Sequence, residues 1–243
     1  MLRPARLTLA LVAVLFSAAC TPAPLPPLPA PATPPQQTQG AASTRADFNA
    51  VVARMQPVAT QVCRERSPHL NCVFTVVLDD RPDQPPNAFH TRDEQGRPII
   101  AFTETLIREL RSRDEIALIF GHEAAHHIAD HIPRIQREAR TGALLGGLAA
   151  ALVGADPDTT RQIMSATATV GARRYSKPFE LEADRIGALI AERGGFDALR
   201  GAQLFRRIPD PGNQFLGTHP PNADRLREVE RAVARHRAGL PVT

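Results

Sequence analysis

The chain has 243 residues, 43% of them hydrophobic, which is enough for one sizeable domain with a buried core. Its formal charge of +4 falls to +2 if Arg3 and Arg6 are removed with an export signal. The basic residues are scattered and no run of them is interleaved with aromatics, which are only 5% of the chain, so nucleic acid is excluded as an expected partner.

The chain opens with the layout of a signal peptide over residues 1–19. Arg3 and Arg6 form a positive start, and Leu7 to Phe16 is an apolar stretch too short to span a bilayer comfortably. The small residues Ser17, Ala18 and Ala19 then lead into Cys20. This segment resembles a bacterial lipobox, with Ser17 standing where Leu is usual, and lipidation of Cys20 is the expectation. A plain secreted protein with a stray thiol is the alternative. Three cysteines are an odd number for an exported chain. With Cys20 lipidated, Cys63 and Cys72 are left to form a disulfide in an oxidising compartment, the alternative being two buried thiols. Residues 20–44, rich in Pro, Ala, Thr and Gln, read as a tether in extended polyproline conformation.

The folded domain is expected over residues 45–243. Ala46 to Val62 has a helical apolar side of Phe48, Val51, Val52, Met55 and Val58. Val73 to Leu78 is β-branched and reads as a strand. Ala88-Phe89-His90 and Ile99 to Phe102 read as two more strands around a turn at Gln95-Gly96. A helix from Thr103 to about Leu110 follows. Ser112 then caps a helix, with Glu115 completing a capping box, that runs to about His131 before Pro133. Thr141 to Val153 predicts a helix too short to cross a bilayer, read as an ordinary core helix, with a helix that touches lipid or shields the cleft as the alternatives. Arg161 to about Ala172 predicts another. Ser176 starts a helix ending at Gly194-Gly195, and a last one begins at Asn222 with Leu226, Val229 and Val233 on one side.

The chemistry concentrates in His122-Glu123-Ala124-Ala125-His126, an H-E-x-x-H pattern inside a predicted helix. Residues four apart share a helix face, so both imidazoles can reach one zinc ion, and Glu123 can work on a water beside it. Ile116, Ile119, Phe120 and Ile128 make this helix a buried one, against the alternative of a surface helix with incidental histidines. A catalytic zinc takes three protein ligands and keeps one position open. The third is expected from Glu180, in Phe179-Glu180-Leu181-Glu182-Ala183-Asp184, where Asp184 shares its face and can orient a ligand imidazole from behind. Gly187, Ala188 and Ala191 continue that face with small residues, which lets the two helices pack closely. His127 and His131 are read as bystanders, and Glu182 and Arg185 as solvent charges.

These segments together resemble the gluzincin peptidases of the HtpX, BepA and LoiP type, relatives of the CAAX prenyl protease. The resemblance extends to Asn87-Ala88-Phe89, like the family's N-A-F segment beside the cleft. It extends also to Thr218-His219-Pro220, like its H-P segment, with Arg225 in the expected place. It covers most of residues 45–237 and is nearest to small periplasmic lipoprotein members of the LoiP type. Ala125 departs from the Gly common before the second histidine.

The resemblance implies a mainly helical α+β domain with a small antiparallel sheet beside the His122 helix. It implies one Zn2+ per chain on His122, His126 and Glu180, with Glu123 as general base. A peptide substrate would add to the edge near Asn87, Ala88 and Phe89. His219 is open between stabilising the oxyanion, closing the fourth metal position to keep the enzyme latent, and being an ordinary loop histidine. The implied function is a membrane-tethered zinc endopeptidase acting on misfolded or misassembled cell-envelope proteins, on the periplasmic side of the outer membrane because Thr21 rather than Asp follows Cys20. The competing reading is a chaperone that holds clients in the same cleft without cutting, and a third is a lipoprotein with a purely structural zinc.

Overall fold

A computed structural model describes residues 42–174, 176–210 and 220–243. The signal peptide, Cys20, residues 21–41 of the tether and His219 lie outside the described residues. Eight α-helices and three strands are described, in the order α1 (Arg45–Arg66), β1 (Thr75–Asp79), β2 (Ala88–Arg92), β3 (Pro98–Thr103), α2 (Glu104–Glu109), α3 (Arg113–Ile128), α4 (His131–Leu152), α5 (Pro157–Arg174), α6 (Ser176–Arg193), α7 (Ala198–Gly201) and α8 (Asn222–Arg237). Among these residues no helix is long and apolar enough to cross a membrane.

α1 starts in a capping box. The Thr44 hydroxyl accepts the Asp47 amide at 3.1 Å, and the Asp47 carboxylate accepts the Thr44 amide at 3.0 Å. Its buried side of Phe48, Val51, Met55, Ala59 and Val62 packs into the core, and Cys63 beyond it is bonded to Cys72 with Cα atoms 5.7 Å apart.

The expected mainly helical fold with a small sheet is what the structure has, but the sheet is mixed rather than antiparallel. Its order is β1-β3-β2, with β2 antiparallel and β1 parallel to the central β3. The short turn at Asp93–Gly96 folds β2 back on β3 as a hairpin. The proline-rich segment 80–87 instead carries the chain past β3 rather than back along β1, so β1 pairs on the far side and in the same direction.

α3 is buried almost all round and is the element on which α1, α6, α7 and β2 converge. Its cap is the expected one: the Ser112 hydroxyl accepts the Glu115 amide at 3.2 Å. The Glu115 carboxylate, however, takes the Arg111 amide and the Arg207 guanidinium. The helix stops three residues sooner than expected, because Asp130 adopts a left-handed φ of 56° that no helix can continue through. α4 therefore starts afresh at His131, with Pro133 in its first turn, where a missing amide proton costs little.

α4 and α5 form an antiparallel hairpin whose backbones touch across Gly142 and Gly171, with the Thr167 side chain seated on Gly146. The expected core helix at Thr141 to Val153 is not one. It is the outer half of α4, and Leu144, Leu145, Leu148 and Leu152 face solvent there because its small residues, not its leucines, meet α5. α7 and the 3-10 turn Ala202–Arg206 after it were not expected from the sequence.

Candidate metal centre

α3 and α6 cross with almost nothing between them. A Cβ on Gly187 would stand 2.6 Å from the His122 amide nitrogen, so glycine is what permits this separation. The crossing brings the second half of α3 against the first half of α6. His122, His126 and Glu180 then converge, with one potential ligand atom from each within 4.8 Å of the others. The two Nε2 atoms are 3.0 Å apart, and the Glu180 carboxylate oxygens lie 3.5 Å from His122 Nε2 and 3.4 Å from His126 Nε2.

Those separations fit zinc. Ligands at about 2.0–2.1 Å from a tetrahedral ion are about 3.3 Å from one another. The electrostatics fit a cation as well. Burial alone would lower the His122 imidazole, but hydrogen bonds to Asp184 and Glu180 push it up to about 10. Burial pulls His126 down to about 2.

Asp184 lies behind His122. Its Oδ1 accepts from His122 Nδ1 at 2.9 Å, which leaves Nε2 free to ligate. Arg225 of α8 grips the same carboxylate through Nε at 2.8 Å and Nη2 at 2.7 Å. Asp184 is only 1% exposed; burial raises its pKa, but Arg225 and His122 outweigh that and hold it below the ordinary range, so it stays ionised.

Glu123 faces the cleft beside His122. Burial first, and the Glu180 charge with it, raise its carboxyl above the ordinary range, against the pull of His122, Arg225 and a backbone hydrogen bond from His90. That last contact places the free edge of β2 over the site. The Thr103 amide bonds to the Asn87 carbonyl across the β2–β3 pair. The alternation of an antiparallel ladder then turns the backbone groups of Ala88 and His90 to the open edge. With the His90 amide on Glu123, the Ala88 amide and carbonyl and the His90 carbonyl remain along that edge.

Asn87 and Ala88 line a cleft of about 680 Å³ together with Leu118, Ile119, Phe205 and Ile208, and His122, Glu123 and Glu180 line it as well. Phe89 does not line it. Strand alternation sends its ring to the other face, 45% exposed. Phe205 comes from the 3-10 turn, so one wall of the cleft rests on an element that the sequence pattern does not announce.

Of the two histidines read as bystanders, His127 is one. It is fully buried, with Nε2 donating to the Asn71 carbonyl at 2.7 Å and Nδ1 accepting from Arg92. His131 is not: its Nδ1 lies 2.8 Å from His126 Nδ1, and its Nε2 lies 3.2 Å from Glu182. Glu182 is likewise no free solvent charge, since Arg134 also donates to it at 2.8 Å.

The family profile described as peptidase family M48 matches residues 46–233. The chain is 31% identical over 147 residues to a putative beta-barrel assembly-enhancing protease of Vibrio cholerae, covering 55% of this chain and 30% of that protein. It is 28% identical over 155 residues to the mitochondrial metalloendopeptidase OMA1 of Schizosaccharomyces pombe, covering 61% and 44%. It is 31% identical over 194 residues to a protease HtpX homolog of Desulfatibacillum aliphaticivorans, covering 62% and 61%. The matches thus span less than two thirds of the length of each of these relatives.

Proposed function

The chain belongs to peptidase family M48, and on that premise we propose that it is a zinc-dependent endopeptidase. The observation that carries this reading is the convergence of His122, His126 and Glu180 beside a cleft that His122, Glu180, Ala88 at the start of β2 and the buried carboxylate of Glu123 line.

Zinc held by those three residues supplies Lewis-acid chemistry to the scissile carbonyl. Glu123 takes a proton from the attacking water and returns it to the leaving amine. Its raised pKa suits it to the first task, because a carboxylate of higher pKa is the stronger base toward the water proton, and the acid so formed stands beside the leaving amine. Asp184 and Arg225 fix the His122 ring, so Nε2 keeps its lone pair for the metal. The substrate lies extended, pairing with the Ala88 amide and carbonyl as an added strand. His219, which lies outside the described residues, has three readings: it stabilises the oxyanion, it closes the fourth metal position in a latent state, or it is an ordinary loop histidine.

The finer reading is an envelope protease tethered by lipid on Cys20 and acting on misfolded or misassembled proteins. The export signal and Pro-rich tether in the sequence support it, as does likeness to a protein named for enhancing β-barrel assembly. The test is paired. Zinc content and casein cleavage are compared for the mature chain and its Glu123→Gln variant. One zinc in both, with cleavage by the parent alone, is expected. A parent that binds zinc and cuts nothing would favour a cleft that holds clients, and a parent without zinc would overturn the reading.

A further inference from the structure

The first turn of α4 meets the first two turns of α6 through two pairs of residues at helical spacing. His131 and Arg134 come from α4, and Phe179 and Glu182 from α6. The His131 ring stacks on Phe179, with centroids 4.6 Å apart and planes 13° from parallel, and the Arg134 guanidinium lies 4.1 Å from the same ring centroid. Glu182 accepts from His131 Nε2 at 3.2 Å and from Arg134 at 2.8 Å. His131 is 1% exposed. Among the described residues its remaining nitrogen, Nδ1, faces Nδ1 of His126 at 2.8 Å.

Hydrogen-bond inventory then leaves one arrangement of protons. His126 turns Nε2 to the metal group, so its proton sits on Nδ1 and is donated to His131 Nδ1. An imidazole accepting at Nδ1 carries its own proton on Nε2, which is the atom that faces Glu182. The carboxylate end is fixed as an acceptor, because Arg134, which can only donate, reaches the same Glu182 oxygen at 2.8 Å.

We propose that His131, fixed by Glu182 and Phe179, is a positioning residue for His126, and that Glu182 acts on the metal site through it. The inference rests on the reading of His126 as a metal ligand. It makes the two ligand imidazoles alike. His122 leans directly on a carboxylate held by Arg225, and His126 leans on a carboxylate held by Arg134 with one imidazole between. The segment from Glu180 to Asp184 then supplies three carboxylates to one centre. One ligates, one sits behind the first histidine, and one reaches the second through His131.

The experiment uses the full mature chain, stripped of metal and reloaded. Zinc affinity is measured by competition with a chromophoric chelator, the cobalt(II)-loaded protein gives a visible spectrum, and the metal-free chain gives a Tm. Glu182→Leu removes the acceptor from a partly exposed position and His131→Gln replaces the ring, while Glu182→Gln keeps an oxygen for His131 Nε2. Affinity is expected to fall about 10- to 100-fold in the first two, the range seen when an outer partner of a ligand is lost. Their cobalt bands should shift, and Glu182→Gln should restore most of the affinity. A metal-free Tm close to that of the parent separates positioning from folding. Parent-like affinity and cobalt spectra in Glu182→Leu and His131→Gln would overturn the proposal. So would losses that merely track the metal-free Tm. A parent that binds neither metal would instead overturn the metal site itself, and the positioning role with it.

Discussion

A methyl group on Gly187 tests whether the separation of two helices sets the metal site. Its carbon would stand 2.6 Å from the His122 nitrogen and 2.9 Å from both the Gly121 carbonyl carbon and His122 Cα. Carbon atoms settle at about 3.5–4.0 Å. All three neighbours are backbone, so no side chain can swing away, and α6 must retreat by about 1 Å to restore that contact. Glu180 lies on the same helix about two turns, or roughly 10 Å, toward its start, so a rigid retreat carries its carboxylate along. Metal bonds tolerate only about 0.2 Å. Overpacking of this kind costs about 1–3 kcal/mol, and each kcal/mol is worth about 2–4 °C of Tm in a domain of this size. Gly187→Ala should therefore melt several degrees below the parent by calorimetry and bind zinc at least about 10-fold more weakly in chelator competition, the affinity loss following from that displacement. Gly147→Ala is the control, since its methyl would meet only the flexible Met164 side chain, nearest at 3.3 Å, and it should leave both measures nearly unchanged. Parent-like zinc affinity in a Gly187→Ala chain of lowered Tm would refute the idea that this spacing sets the site.

Opening the Cys63–Cys72 loop, whose ends are separated by 9 positions, should cost about 2.5–3 kcal/mol in the chain-entropy model. The doubly Ser-substituted chain should then melt about 5–10 °C lower, and an equal Tm would contradict this. Glu182 titrates at about 2 against an ordinary 4.5, held down by His131 and Arg134. A depressed carboxyl contributes stability that is present above about pH 4.5 and lost as pH falls toward 2. The Glu182→Gln chain should accordingly show a flatter Tm-versus-pH curve than the parent in that window, and parallel curves would count against the ion pair. Ala88→Pro removes an amide that points to the free edge and not to β3. It should raise KM for an unfolded substrate several-fold at unchanged zinc content, and an unaltered KM would remove the edge strand from substrate binding.

Helix positions were legible where capping chemistry is local. Ser112 marks the start of α3, Gly194-Gly195 the end of α6, and Asn222 the start of α8. Small residues at Gly187, Ala188 and Ala191 likewise announced a close crossing with α3, because the absence of side-chain volume is itself a packing signal. Sheet direction was not legible. β1 reads as a strand from its β-branched residues, but whether it runs with or against β3 depends on where segment 80–87 takes the chain, and nothing within β1 records that. The leucines of α4 misled for a related reason. They look like core residues by composition, while the face that packs on α5 is made of glycines.

The metal group was legible because His122, His126, Glu180 and Asp184 each follow four-residue spacing on one helix face. Glu182 breaks that spacing, and on an isolated helix it points away from Glu180. What gives it a role is the position of His131. Had α3 run on to His131, that residue would sit five places beyond His126, about 140° around the helix and out of reach. The left-handed turn at Asp130 ends α3 and restarts the chain as α4, which swings the His131 ring back against His126. Asp130 is held in turn by Arg92 of β2, whose guanidinium also reaches His127. The strand that offers its edge to the cleft therefore also anchors the helix break that places His131. A substitution at Arg92 should disturb the second ligand of the site although the side chain touches neither the metal group nor the cleft.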